Sequence, residues 1–279
     1  MKRLAIGMVT FNNSAEDLEK FVRSLDVATR RYQKATGQAF EPQLYYIDNG
    51  KKSYLHKMKN CTQVKSMGNV GYPKALNSLI KRALEKDGYS HFLSANPDGV
   101  FHPDFFIELF KFSEKFPNDL IEAIQFPEEH PKNYDRVTFE TEWASGCCCL
   151  FSKQLIKEVG YLDEHFFLYV EDVDYSWRVR LKGFKIRICP KAIFGHFVLN
   201  RKPSPLITKY FYESGRYLGL KYRNKAFRSF CEKVLIDEKI YPSVAAMPKY
   251  KNLKTVRSKN LQQIADFKHM FHFSEVRWG

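Results

Sequence analysis

The alternation of short apolar runs with helix-period segments over the first hundred residues is what most restricts the folds open to this chain. Residues 4–9 (LAIGMV) form a strand-like run that ends in Thr10-Phe11-Asn12-Asn13. Ser14, with Asp17 three positions on, reads as a helix N-terminal capping box. Leu18, Phe21, Val22 and Leu25 then recur at helical spacing, with Gly37 as the stop. Further strands are expected at 44–47 and 62–67, ending in Asp48-Asn49-Gly50 and Gly68-Asn69-Val70-Gly71-Tyr72. Pro73 stands where a first helical turn accepts it, and Ala75, Leu76, Leu79, Ile80, Ala83 and Leu84 continue that helix. A fourth strand at 91–95 ends in Asn96-Pro97-Asp98. This order signals βαβ units, hence an α/β fold with a Rossmann-like, mostly parallel central sheet flanked by helices. Ligands of such sheets bind outside the carboxyl ends of the strands, where helix N-termini and loop amides share one crevice. Thr10, Asp48, Asn69, Gly71, Asn96 and Asp98 all fall there, which favours a nucleotide-type ligand.

Beyond residue 100 the pattern loosens. A helix is expected at 103–116, strands at 123–126 and 147–151, a short helix from Ser152 to Gly160, and a last strand at 185–189 before Pro190 and His196. Between them, Glu171, Asp172 and Asp174 crowd three carboxylates into one turn, and such neighbours raise a carboxyl pKa toward values useful in proton transfer. The same residues suit a helix's first turn through its dipole, and Asp174 with Arg178 has the i,i+4 spacing of a plain ion pair.

Charge divides the chain. Of 45 Lys and Arg against 31 Asp and Glu, residues 201–279 hold 17 against 6, an excess of +11, which leaves +3 for the first 200. Aromatic and apolar residues interleave with those bases at Tyr210, Phe211, Tyr212, Tyr217, Leu218, Leu220, Tyr222, Phe227 and Phe230. Such a stretch either packs its aromatic stripe on the body or lies on an anionic membrane surface. No apolar run approaches the roughly 18–20 residues that span a bilayer. The opening Met1-Lys2-Arg3 leads straight into 4–9, too short and too quickly polar for a signal peptide. The six cysteines, three of them consecutive at 147–149, lack the paired spacing of a zinc site and read as reduced, buried packing residues.

Seven segments in order carry a resemblance: VTFNN (9–13), IDNG (47–50), GNVGYPKALN (68–77), SANPDG (94–99), WASGCCCLFSK (143–153), VGYLDEHFFLYVEDVDYSWR (159–178) and KGFKIRICPKAIFGH (182–196). From about residue 4 to 197 the chain resembles a family 2 glycosyltransferase of the GT-A fold, and within it the bacterial rhamnosyltransferase-like group. The resemblance implies a nucleotide-sugar donor (a dTDP- or UDP-sugar), a hydroxyl acceptor and inversion at the anomeric carbon. It assigns Asp172 as catalytic base. It places Thr10, Asp48, Asn69, Gly71, Lys74, Asn96 and Asp98 on the donor, and Asp98 and His196 on a divalent metal, Mn2+ or Mg2+. Asn96 replaces the first carboxylate of the family's Asp-x-Asp pattern and offers a neutral oxygen only. Trp143, Glu171, Asp174 and Arg178 are read as acceptor-side or supporting residues. The organisation expected is a nucleotide-sugar-binding half at 1–110, an acceptor-binding and catalytic half at 111–200, and a basic, mainly helical C-terminal region at 201–279.

The function this implies is transfer of L-rhamnose from dTDP-L-rhamnose to a lipid-linked glycan in surface polysaccharide synthesis, at the inner face of the cell membrane. Galactofuranose or another hexose from UDP is the alternative donor. A basic nucleic-acid-binding protein would explain the tail but leaves the acidic cluster without a purpose, and no signature of nucleic-acid binding supports it. A nucleotide-sugar sensor without turnover is the third reading. Oligomeric state is not legible.

Overall fold

The computed structural model describes residues 2–50, 54–57, 60–196 and 204–277. The expected boundary at 200/201 and residue 197, where the resemblance ends, lie outside the described residues. The elements follow the chain as β1 (Lys2–Thr10), α1 (Ala15–Thr36), β2 (Phe40–Asp48), β3 (Cys61–Gln63), α2 (Tyr72–Lys81), β4 (His91–Ala95), β5 (Gly99–Phe101), α3 (Phe105–Lys115), β6 (Leu120–Phe126), β7 (Cys148–Ser152), α4 (Lys153–Val159), α5 (Glu171–Leu181), β8 (Ile186–His196), α6 (Pro205–Lys221), α7 (Lys225–Asp237) and α8 (Leu261–Ile264). Among the described residues the strands form one eight-stranded sheet in the order β3-β2-β1-β4-β7-β6-β8-β5. β7 and β5 run against the other six.

Local chemistry explains the first helix. The Ser14 hydroxyl accepts the Asp17 N–H at 3.0 Å and donates to the Asp17 carboxylate at 2.7 Å, and Gly37 closes the helix at φ 67°. In β1 the side chains alternate. Leu4, Ile6 and Met8 pack with Leu18 and Phe21 of α1 and Phe105 and Phe106 of α3. Ala5 faces the opposite layer, with Leu76 and Leu79 of α2, Leu155 of α4 and Tyr175 and Val179 of α5. A third core joins α5 to the C-terminal region through Trp177, Tyr217, Tyr222, Phe227 and Phe273.

Two expectations are corrected, and one strand is added. The strand expected at 62–67 pairs only over Cys61–Gln63, because the chain then leaves the sheet to bring the Ser66 hydroxyl onto the Asp48 carbonyl. The strand expected at 185–189 continues to His196. Its register against β6 slips from Ala123↔Cys189 to Ile124↔Ile193, so Pro190, which has no N–H to donate, sits in a bulge. β5 was not anticipated: it is three residues long, and its Gly99 pairs with His196.

In the C-terminal region α6 and α7 are followed by a largely irregular segment with short turns. The aromatic stripe there splits. Tyr217, Leu218, Tyr222 and Phe227 are buried, while Leu206, Ile207 and Phe230 are exposed.

Candidate functional site

Topology brings the sequence-selected residues to one edge of the sheet. β1, β2, β4, β6 and β8 all end there, and the antiparallel β7 and β5 begin there. The ends carry Thr10, Asp48, Asn96, Phe126 and His196, and the starts follow Gly146-Cys147 and Asp98.

On the β1–β2 side, Thr10 and Asp48 are buried and in register. The Thr10 hydroxyl donates to Asp48 Oδ1 at 2.5 Å, and Gln63 Nε2 donates to Asp48 Oδ2 at 3.0 Å. Asn49, read from sequence as a turn former, does more: its buried side chain donates to the Gly71 carbonyl at 3.1 Å and ties two loops together. Asn69 Oδ1 accepts the Gly71 N–H at 3.3 Å, and Lys74 is half-buried on the first turn of α2. Gly71 has φ 83°, and a Cβ there would lie 2.6 Å from the Phe167 carbonyl oxygen, which already accepts the Tyr72 N–H at 2.8 Å. Gly71→Ala is therefore expected to lose about 1–3 kcal/mol and to displace the 68–72 loop. Denaturant unfolding checks the first effect and nucleotide affinity the second.

Next along the edge, β5 pairing against β8 sets Asp98 beside His196, with Asp98 Oδ1 3.3 Å from His196 Nε2. The Asn96 side-chain amide lies 3.4 Å from the same nitrogen, and the Asn96 N–H donates to the Cys147 carbonyl at 2.9 Å. The other ring nitrogen, Nδ1, faces Gln125 Oε1 at 3.2 Å. With Nδ1 donating to Gln125, Nε2 turns its lone pair toward Asp98. One imidazole nitrogen and one carboxylate then converge beside the Asn96 side chain, whose Nδ2 is the atom at 3.4 Å, and the first two suit a divalent ion completed by ligand phosphates. Among the described residues no group of three or more His, Cys, Asp and Glu forms a complete cage.

Asp172 sits in the first turn of α5. Its Oδ1 accepts the Val173 N–H at 2.8 Å and its Oδ2 accepts the Gly146 N–H at 3.0 Å. Burial raises its pKa, opposed by those two N–H groups and by the Lys132 cation. Glu171 is 5% exposed, its Oε2 has no hydrogen-bond partner among the described residues, and burial beside Asp172 holds it well above the ordinary range. The chain enters this turn through two left-handed residues, Tyr169 at φ 69° and Val170 at φ 67°. A β-branched residue there is strained, on the order of 1–3 kcal/mol.

Asp174 and Arg178 face away from the opening. Asp174 is fully buried and meets Arg178 Nε at 2.9 Å, Lys221 Nζ at 2.6 Å and the Tyr222 hydroxyl at 3.1 Å. Arg178 also donates to the Val159 and Tyr161 carbonyls. Both belong to the anchoring of α5. The three consecutive cysteines are buried, and burial pushes each thiol well above its ordinary value, so packing is their part.

A cleft of about 550 Å³ opens over this edge. Asn96, Gln125, Lys132, Trp143, Ser145, Gly146, Tyr169, Glu171, Asp172 and His196 line it, joined by Phe211, Phe271, His272 and Phe273 from the C-terminal region. Asp172 and His196 thus share one opening. Asp98 touches it through His196, whereas Thr10, Asp48, Asn69, Gly71 and Lys74 are not among its lining residues; Asn49 ties the end of β2 to the Gly71 loop. Phe166, Phe167 and Tyr169 separate: Phe166 is core, Phe167 braces the Gly71 loop and Tyr169 faces the cleft. Sequence reasoning missed Lys132, Gln125 and the 271–273 wall, which carry no recognisable spacing.

No family model matches the chain. Over 183 residues, 57% of this chain and 59% of the relative, it is 24% identical to the low-salt glycan biosynthesis hexosyltransferase Agl10 of Haloferax volcanii. The chain therefore spans about three fifths of that relative's length. Among solved structures, TarS of S. aureus superposes with a TM-score of 0.53 at 16% identity, over 88% of this chain and 44% of TarS. The TarS fragment 1–349 in complex with UDP-GlcNAc gives 0.52 at 15% identity, over 86% and 72%. GalNAc-T7 with UDP, GalNAc and Mn2+ gives 0.56 at 12% identity, over 85% and 55%. At these identities the likeness shows the fold, which is GT-A.

Proposed function

We propose that this chain is a glycosyltransferase that moves a hexosyl unit from a nucleoside-diphosphate sugar to a hydroxyl of a glycan. One observation carries the reading: the Asp172 carboxylate and the Asn96–His196 pair line the same cleft at the carboxyl edge of the sheet. In the displacement, the acceptor oxygen bonds to the anomeric carbon as the bond to the diphosphate breaks, and the carbon inverts. The hydroxyl proton passes to Asp172, and the bonding electrons leave with the diphosphate. A relative named as a hexosyltransferase and neighbours crystallised with UDP or UDP-GlcNAc support this reading.

Thr10 and Asp48 serve the pyrimidine and ribose. With Thr10 and Gln63 holding both carboxylate oxygens, Asp48 keeps one orientation toward an imide N–H. Asn69, Gly71 and Lys74 serve the ribose and phosphates. Asp98 and His196 would hold a divalent ion, and the imidazole favours Mn2+ over Mg2+. An ion held there would supply positive charge against the leaving diphosphate. Asp98→Ala is expected to abolish the gain in UDP affinity that Mn2+ gives. Calorimetry with and without Mn2+ reads this, and an undiminished gain in the variant removes Asp98 from the metal site.

The donor proposed is dTDP-L-rhamnose, on the likeness of the Asn96-Pro97-Asp98 turn to the rhamnosyltransferase-like pattern; UDP-galactofuranose or another UDP-hexose is the competitor. A thermal-shift panel of these nucleotide sugars separates them. The acceptor proposed is a lipid-linked glycan at the inner face of the membrane. Leu206 and Ile207, 54% and 37% exposed at the start of α6 in the basic region, support contact with an anionic surface. Among the described residues no helix is long and apolar enough to cross a membrane.

A further inference from the structure

Along one wall of the cleft runs a connected set of buried polar groups, of which His196 alone has a part in the proposed transfer. Glu122, Gln125, Lys132, Ser145 and His196 are each 7% exposed or less. Lys132 Nζ donates to Glu122 Oε2 at 2.5 Å and to the Trp143 carbonyl at 2.7 Å, with the Trp143 ring 4.2 Å away. The side-chain nitrogen of Gln125 faces two oxygens, Ser145 Oγ at 3.0 Å and Glu122 Oε1 at 3.4 Å. Its oxygen faces His196 Nδ1 at 3.2 Å. From Lys132 to His196 the donors and acceptors alternate in one line, and beyond it His196 Nε2 lies 3.3 Å from Asp98 Oδ1.

The orientation of one amide decides what His196 presents to the cleft. As drawn by its partners, the Gln125 oxygen takes the Nδ1 proton, and Nε2 offers a lone pair. With the amide reversed, its NH2 would face Nδ1, the proton would move to Nε2, and Nε2–H would bond to Asp98 and close the centre. Reversal also sets the Gln125 oxygen against the Glu122 carboxylate and leaves the Ser145 hydroxyl without that donor, two mismatches among buried groups that disfavour it. Lys132 holds the carboxylate that imposes this choice.

We propose that Gln125 is a positioning residue for the diphosphate-side centre, fixing His196 with Nε2 toward Asp98, and that the Lys132–Glu122 pair fixes Gln125. The inference rests on the proposed glycosyltransferase reading, specifically on a divalent ion at Asp98 and His196. Outer partners of ligating histidines change metal affinity by about 10- to 100-fold.

The test titrates Mn2+ into the full chain saturated with UDP and, in parallel, with dTDP, following free Mn2+ by electron paramagnetic resonance. Gln125→Met removes the acceptor at similar volume and is expected to weaken Mn2+ by about 10- to 100-fold with nucleotide affinity in the absence of metal unchanged. The exchange variant Glu122→Gln/Gln125→Glu keeps one carboxylate and one amide in the line and is expected to restore Mn2+ affinity to within about threefold of the parent. A merely structural role would weaken both variants alike. Parental Mn2+ affinity in Gln125→Met, or an exchange variant as weak as Gln125→Met, overturns the inference alone. If Gln125→Met does not fold, the exchange variant decides against the parent: Mn2+ affinity within about threefold supports the inference, and a loss of about tenfold or more overturns it. A parent chain that binds both nucleotides with no contribution from Mn2+ overturns the metal reading and the inference with it.

Discussion

Asp172→Asn is expected to lower turnover by about 10²–10⁴-fold, the contribution of a positioned general base, while UDP affinity stays at the parental value. The amide keeps the shape and one carbonyl oxygen for the Gly146 N–H, but it cannot take a proton. A variant that turns over at the parental rate removes Asp172 as the base. The pH profile adds an independent reading. The base works ionised, and burial raises its pKa. Activity is therefore lost as pH falls through a value above the ordinary carboxylate range, about 3.9, and the residual activity of the Asn variant lacks that limb. Stability runs the other way. A carboxyl whose folded pKa is raised contributes stability present below its unfolded pKa and lost as pH rises through the folded one. At pH 7 the parent carries that cost, so Asp172→Asn should melt no lower than the parent. Scanning calorimetry at pH 5 and pH 7 checks the sign.

Trp177→Ala is expected to cost about 3–5 kcal/mol, the range for emptying a fully buried large aromatic. Trp177 is 0% exposed and meets Tyr222, Phe267 and Phe273 edge-on, with ring centroids at 4.9, 5.1 and 5.6 Å. Its indole N–H has no hydrogen-bond partner among the described residues, so Trp177→Phe, which loses volume but no hydrogen bond, is expected to cost much less. The loss also reaches the cleft, because Phe273 lines it and Trp177 lies on the helix that begins at Glu171. Chemical denaturation of the two variants gives the free energies; an Ala variant as stable as the Phe variant would contradict the packing account.

The sheet edge was legible because its signals are local. Ser14 and Asp17, the Gly71-Tyr72-Pro73 entry to α2, and Asn96-Pro97-Asp98 each lie within a few residues of the geometry they produce. The crowding of Glu171, Asp172 and Asp174 was legible as well, but not the division of labour within it. That division depends on Lys221 and Tyr222, some fifty residues downstream, which draw Asp174 into the core while Asp172 stays at the opening. The Gln125 line was invisible for the same reason. Its members are scattered from 122 to 196, and no spacing marks a glutamine as the neighbour of a histidine 71 positions away. The aromatic stripe of the tail offered a membrane face or a packing face, and the structure gives Tyr217, Tyr222 and Phe227 to packing while leaving Leu206 and Ile207 outside.

The far wall of the cleft bears on biosynthesis. Trp143 donates its indole N–H to the His272 carbonyl, 129 positions later, and a bridge joins Lys132 to Val276. During translation, every described strand is made once His196 has left the ribosome, yet Trp177 and Trp143 still await their covering residues. For the time needed to add about eighty more residues, roughly 4–16 s at ordinary elongation rates, the nascent chain shows water an aromatic surface beside an unfinished pocket. Premature release in that interval yields a chain with its sheet but without the wall of the cleft that Phe271, His272 and Phe273 supply.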